Sequence, residues 1–221
     1  MSPFEPRVED LPSKIAIFPL KTVLLLPNGK LPLNVFEPRY LNLVQNALSE
    51  TRIIGMVQLS GADLGEMESA GDDAPIFKIG CAGRVVSFQE TDDGRFLITL
   101  KGICRYRIGQ ELDLVDGYRR VHSDFSPYTA DLYSDQNAVI DRPRLLSALR
   151  FYLQYHDINA DLDAIDKAPA DHLITTLAMA CPFATDERQA LLESKDGTSR
   201  AKLMIGLLEN AMAGDAASVR H

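Results

Sequence analysis

The spacing of apolar residues changes once along the chain. Up to about Phe125 they come in short runs with strand-like alternation, and from Asp141 onward they recur at three and four. The first run, Ile15 to Tyr40 (IAIFPLKTVLLLPNGKLPLNVFEPRY), is interrupted by Pro19, Pro27, Gly29, Pro32 and Pro38. A membrane span needs about 20 uninterrupted apolar residues, and a soluble helix does not tolerate this many internal prolines. The run therefore predicts short strands joined by tight turns, ending at a helix start around Glu37-Pro38-Arg39-Tyr40. Tyr40, Leu41, Val44, Ala47 and Leu48 have helical spacing and place an amphipathic helix over 36–50. Arg52 to Leu59 reads as a strand, and the Gly- and acid-rich stretch Gly61 to Pro75 as a loop. Ile76 to Gln89 and Arg95 to Ile108 read as two long strands around an Asp-Gly hairpin turn, with a further strand in Leu112 to Phe125. Leu24, Leu25 and Leu26 cannot all face inward from one strand, because neighbours alternate. One of them is expected to be covered by the helical part or to be available to a partner.

Beyond Ser126 the expectation is a polar linker over Tyr128 to Asn137, then helices. These cover Pro143 to Tyr155, a turn at Asp161 to Ile165, Pro169 to Ala180, Thr185 to Glu193 opened by a capping Thr185, and Ser199 to Ala213 stopped by Gly214. Strands followed by helices argue an α+β class and not a parallel α/β sheet. The division expected is a lead-in over 1–14, a β-rich subdomain over 15–127, a helical bundle over 128–214 and a tail over 215–221.

Charge narrows the partners. Net charge is −8, and residues 1–130 carry 14 Lys+Arg against 17 Asp+Glu while 131–221 carry 9 against 14. Neither half is basic, so nucleic acid is not the default partner. Cys81, Cys104 and Cys181 are far apart and form no CxxC, and the four histidines show no metal spacing with them. No metal, disulfide framework or cofactor is expected, and the cysteines read as buried hydrophobes in a reducing cytoplasm. The N-terminus lacks the basic and apolar regions of a signal peptide. P-loop, GxGxxG, HExxH and GxSxG motifs are absent. Asp72-Asp73 and Asp92-Asp93 read as solvated loop charges.

Several segments together resemble one family. Phe18-Pro19-Leu20, Leu26-Pro27-Asn28-Gly29, Leu31-Pro32-Leu33 and Phe36-Glu37-Pro38-Arg39-Tyr40 are similar to the start of the amino-terminal, substrate-binding domain of Lon proteases. Ile79 to Val86 and Asp93 to Arg107 resemble its hairpin, and Leu177 to Phe183 with Glu187 to Glu193 resemble its helical part. The resemblance runs from Ile15 to Ala213. It implies a PUA-like twisted β-sheet or pseudo-barrel with one helix, followed by a helical bundle. Lon continues into an ATPase and a Ser/Lys peptidase domain. This sequence ends at His221 without those motifs, so the expectation is a stand-alone, non-catalytic binding protein. Ser194-Lys195-Asp196-Gly197-Thr198-Ser199 resembles the surroundings of the Lon catalytic serine. In that family the lysine base lies several tens of residues beyond the serine, whereas the lysine that follows Ser199 here, Lys202, is only three residues on, and the segment reads as an interhelical turn with a cap at Thr198 or Ser199.

The function implied is binding of unfolded or partly folded protein segments, with a separate protease or chaperone as a further partner, in the cytoplasm and away from membranes. Capture would use an apolar groove or a sheet edge. The contact residues expected are Phe36, Arg39, Tyr40, Arg84 and Arg105. The alternative is RNA binding, since PUA-like folds elsewhere bind RNA. Its local support is Lys101, Arg105 and Arg107, an even number apart and so on one face of a strand, together with Arg119 and Arg120.

Overall fold

The computed structural model describes residues 7–61, 73–133 and 139–218. The expected α+β class holds: a β-rich part with one helix precedes a helical part. The chain divides into two compact units, Met1–Tyr133 and Ser134–His221.

In the first unit the strands are β1 (Lys14–Leu20), β2 (Lys30–Val35), β3 (Ile53–Gln58), β4 (Ile79–Glu90), β5 (Phe96–Val115) and β6 (Tyr118–Asp124), with helix α1 (Pro38–Ser49) between β2 and β3. They form one sheet in the order β2-β5-β4-β3-β1-β6, and β6 also pairs with β5. Five strands thus close into a barrel and β2 is appended outside it. The β1–β3 pairing is parallel and the others are antiparallel. β5 makes this closure possible. Its 20 residues far exceed the usual strand length of about 5–6, so its first part pairs with β2 and β4 and its last part with β6.

The barrel interior is filled by Ile15, Ile17, Ile53, Val57, Ala82, Cys104, Tyr106, Ile108, Val121 and Phe125. Tyr106 is fully buried. Gly55 and Gly80 admit it, since a Cβ at Gly55 would lie 2.3 Å from its hydroxyl oxygen. A bulge leaves Ile103 unpaired: Gly83 faces Gly102, but Ala82 faces Cys104. Ile103 and Cys104 both enter the core.

The leucine triplet departs from expectation. Leu24, Leu25 and Leu26 are all buried, at 2 %, 2 % and 0 % exposure. They lie between β1 and β2 in irregular backbone, so strand alternation does not apply to them. Glycines make room for this segment. A Cβ at Gly83 would lie 2.7 Å from Leu25 Cδ2, and one at Gly102 would lie 2.0 Å from the Leu26 carbonyl oxygen. The Asn28 N–H donates to the Gly102 carbonyl at 2.9 Å, and the Gly102 N–H donates to the Gly29 carbonyl at 2.8 Å. Asn28 adopts φ +65°, a conformation asparagine tolerates.

α1 begins with Pro38 at its first turn, where the missing N–H costs nothing. It buries Tyr40, Leu43, Val44 and Ala47. Asn42 and Asn46 tie it to the β5–β6 turn: the Asn42 amide donates to the Asp116 carbonyl at 3.0 Å, and the Asn46 amide to Asp116 Oδ2 and the Tyr118 hydroxyl, each at 2.9 Å. That turn is an Asp116-Gly117 pair with φ +48° and +83°, a second Asp-Gly hairpin inside the stretch read as a single strand.

Three other readings are corrected. Ser126–Leu132 is a short 3-10 helix packed on β5, not linker, because Asp131 is held by Arg105 of β5. In the second unit the helices are α2 (Arg142–Tyr155), α3 (Leu162–Lys167), α4 (Ala170–Ala180), α5 (Thr185–Glu193) and α6 (Gly197–Ser218). Thr185 is the first helical residue of α5 and not its cap, and the Ala184 N–H donates to Glu187 Oε2 at 2.8 Å. α6 starts earlier than expected, and Gly214 does not stop it. Most of the Gly61 to Pro75 loop lies outside the described residues.

Gly102→Ala is expected to lower the unfolding free energy by about 3 kcal/mol, because backbone cannot move aside as a side chain can. Gly206 of α6, where a Cβ meets nothing within 4 Å, is the control: its change to Ala should raise stability by up to about 1 kcal/mol. Urea denaturation of the two variants checks both signs.

Candidate partner-binding site

The five expected contact residues separate into two groups. Tyr40 and Arg105 serve the fold. Tyr40 is buried at 3 % exposure and stacks on Phe18, with ring centroids 4.0 Å apart. Arg105 is buried at 5 % and holds Asp131 in a two-pronged pair, Nε to Oδ2 and Nη2 to Oδ1, both at 2.8 Å. Its backbone N–H also donates to Asp131 Oδ2, and its guanidinium lies 4.9 Å from the Tyr128 ring centroid. Neither side chain can reach a partner. Arg39 is half-buried: its Nε and Nη2 donate to Glu37 Oε2 at 3.1 and 3.0 Å, and its guanidinium lies 4.8 Å from the Tyr40 ring centroid. It fixes the entry to α1.

Phe36 and Arg84 remain. Phe36 is 54 % exposed just past the end of β2, with the Arg95 guanidinium 5.7 Å from its ring centroid. Arg84 stands in β4 directly opposite Ile53, the first residue of β3, and directly opposite Lys101 of β5. Beyond this point β3 ends, and β4, β5 and β2 run on as a three-stranded extension.

One side of that extension is open. Opposed residues on neighbouring antiparallel strands share a face. Lys30, Lys101 and Arg84 make one row; Pro32, Thr99 and Ser87 the next; Asn34, Leu97 and Gln89 the third. Arg84 is two residues from Ala82 of the barrel core, so this face continues the barrel's inner side. Phe36 and Leu97, the latter 40 % exposed, put apolar surface at its far end. Sequence reasoning missed Leu97. The signal was present, since Leu97 is an apolar residue out of phase with the buried Phe96, Ile98 and Leu100. Phe88 of β4 is also exposed but stands opposite Ile98, on the other face, and Val86 is the unpaired residue of a bulge.

In the helical unit, Phe151 and Tyr155 lie one turn apart on α2, at 51 % and 61 % exposure, with Ile158 after them. A cavity of about 510 Å³ beside Ile158 is lined also by Leu153 and Leu162.

The residues invoked for RNA do not form a patch. The bulge at Ile103 overturns the even-spacing argument: Lys101 faces Arg84 whereas Arg105 faces Cys81, three residues away on β4 and so on the opposite side. Arg119 is buried and holds Glu111, with Nη2 to Oε1 at 2.7 Å and Nε to Oε2 at 3.1 Å.

The remaining chemical candidates are structural. All three cysteines are buried thiols. Burial pushes the Cys104 thiol up to about 12 and the Cys181 thiol up to about 11, so neither is a nucleophile at neutral pH. Ser199 sits in the first turn of α6, and its N–H donates to Asp196 Oδ1 at 2.7 Å. Asp196, not Thr198 or Ser199, is therefore the cap, and that hydrogen bond holds its carboxyl below the usual range. Among the described residues no group of His, Cys, Asp and Glu could hold a metal, and no helix is long and apolar enough to cross a membrane.

Arg105→Ala should cost about 3–5 kcal/mol by stranding Asp131, while Phe36→Ala should stay within about 0.5 kcal/mol. Thermal unfolding separates the two roles. In the native protein at pH 8, a thiol reagent should label Cys104 and Cys181 only on the timescale of unfolding; labelling within seconds would contradict their burial.

Comparison with known proteins gives a consistent picture. The family model for the ATP-dependent protease La (LON) substrate-binding domain matches residues 14–210. Lon protease 2 of Myxococcus xanthus is 25% identical over 206 residues, which cover 90% of this chain and 24% of that protein. Lon protease of Haemophilus influenzae is 24% identical over 199 residues, covering 88% of this chain and 24% of that protein. The chain thus spans about a quarter of the length of these relatives. The crystal structure of the Lon N-terminal domain protein from Xanthomonas campestris superposes with a TM-score of 0.57 at 21% identity, covering 91% of this chain and 98% of that one. The N-terminal domain of Mycobacterium avium complex Lon protease gives 0.60 at 14% identity, covering 89% and 98%.

Proposed function

Because the chain belongs to the substrate-binding domain family of the ATP-dependent protease La (Lon), we propose that it is a non-catalytic module that binds unfolded or partly folded protein segments. The observation that carries this reading is the exposed apolar end of the β4–β5–β2 extension, where Phe36 and Leu97 stay 54 % and 40 % exposed although the barrel beside them is closed and filled. Large apolar side chains grouped at one end of a sheet are a docking surface for apolar segments.

The mode is contact through this surface, not strand addition. β2 pairs only with β5 among the described residues, so its outer edge is a place where a strand could add. Pro32 lies within β2 and has no N–H to donate, and Lys30 adds charge at the same edge. Both features blunt an edge against pairing. The Phe151 and Tyr155 surface of α2 is a second apolar surface of the same kind. The match is confined to a substrate-binding domain, which supports a non-catalytic role. Three free thiols support a reducing, cytoplasmic setting. A separate protease or chaperone that receives the bound segment completes the proposal.

The test uses reduced, carboxymethylated α-lactalbumin, a permanently unfolded probe, cross-linked to the purified protein. The wild type should give cross-links, and Phe36→Ser with Leu97→Ser should reduce them by about fivefold or more, as expected when two exposed apolar anchors are lost. The melting temperature should be unchanged. No cross-links to the wild type, or ATP hydrolysis or peptidase turnover by it, would sink the reading.

A further inference from the structure

Three cations stand side by side on the open face of the extension. Lys30 is directly opposite Lys101, and Lys101 directly opposite Arg84. Adjacent strands lie about 4.8 Å apart, and like charges directly opposite one another destabilise a sheet. None of the three has an ion pair or side-chain hydrogen bond among the described residues, whereas Arg39, Arg95, Arg105, Arg119 and Arg144 each have a carboxylate partner. The rows beyond hold Pro32, Thr99, Ser87, Asn34, Leu97 and Gln89, so no carboxylate occupies this face of the paired strands. In a protein of net charge −8, an acid-free face headed by three uncompensated cations is a site for an anionic group.

We infer that this face takes an extended, acidic-ended polypeptide segment, with its carboxylates over the Lys30–Lys101–Arg84 row and a large apolar residue against Leu97 and Phe36. The inference rests on the protein-binding reading and adds a selectivity to it. Four residues along β5 separate Lys101 from Leu97, about 13 Å at strand rise, and Phe36 lies about one row further. An extended peptide covers that span in four to six residues. Charge also fixes the direction, because the β4–β5 turn at the apolar end exposes Asp92 and Asp93 against the one cation Arg95, which pairs with Asp93 at 2.8 Å. A ligand acidic along its whole length would meet those carboxylates, whereas one acidic at a single end would not. For the same reason a nucleic acid strand, charged at every step, suits the face less well.

The test is fluorescence anisotropy with labelled Asp-Asp-Asp-Gly-Ser-Gly-Phe-Leu against the full chain. Two control peptides carry Lys-Lys-Lys in place of the aspartates, or Ser-Ser in place of Phe-Leu. The acidic peptide should bind about tenfold or more tighter than the lysine peptide at low salt, and the gap should narrow as salt rises. Lys101→Glu should abolish the preference while unfolding at the same or a higher temperature, since it places a carboxylate directly between Lys30 and Arg84. Equal binding of acidic and lysine peptides, an unchanged preference in the variant, or tighter binding of a single-stranded DNA 12-mer than of the acidic peptide would overturn the inference. Carboxymethylated α-lactalbumin separates the two failures, with cross-linking scored by sites at the Phe36 and Leu97 end. Cross-links there with no acidic-peptide preference leave protein binding standing and remove only the acid selectivity. No cross-links and no peptide binding remove both.

Discussion

The placement of β2 and of the face it completes depends on the absence of a side chain at residue 102. The backbone of Leu26 passes so close to Gly102 that its carbonyl oxygen occupies the place of a Cβ. This contact lets the Leu24–Leu26 segment sink all three leucines, and the two hydrogen bonds between Gly102 and the Asn28-Gly29 turn deliver the chain into β2 in register with β5. With β2 in place, Lys30 meets Lys101 and Phe36 ends beside Arg95. The open face is therefore a consequence of backbone packing one residue away from its cationic row. Gly83 performs the same service for Leu25 across the neighbouring strand.

The bulge at Ile103 is the second constraint, and it determines what each arginine can do. Without it, Lys101 and Arg105 would share a side and form a basic stripe. With it, Arg105 turns to the side that the Ser126–Leu132 helix covers, where Asp131 neutralises it, while Lys101 stays on the open side with Arg84. A single unpaired residue thus converts a run of cations into one structural ion pair and one uncompensated row.

Much of the architecture was legible in local chemistry. The prolines of 15–40 excluded helices, the Asp93-Gly94 turn announced the β4–β5 hairpin, and the change of period after Phe125 marked the helical part. What was not legible depended on contacts distant in sequence. Leu24–Leu26 looked like a problem of strand alternation because nothing local says the segment is irregular and lies against two glycines of other strands. Asp116-Gly117 was overlooked although it is the same signal as Asp93-Gly94, because the short strands around it read as one. Of the expected contact residues, Phe36 and Arg84 lie where a partner could meet them, while Tyr40 and Arg105 were drawn into the interior by Phe18 and Asp131. A sequence shows an aromatic or a cation but not whether another part of the chain will claim it. Lys101 and Leu97 gained their meaning only from strand register.

The seam that closes the barrel joins Lys14, Ile15 and Ala16 to His122, Val121 and Arg120. These partners are about as far apart in sequence as the first unit allows. Pairings of such high contact order are slow to find, so the Lys14–Ala16 edge of β1 has to wait for β6. During synthesis the hairpins formed by β4, β5 and β6 can assemble from local contacts, but Ile15 and Ile17 have no completed barrel to enter until the chain has grown past Asp124. Before that point one edge of the first strand has no neighbour, although its other edge can already lie against β3.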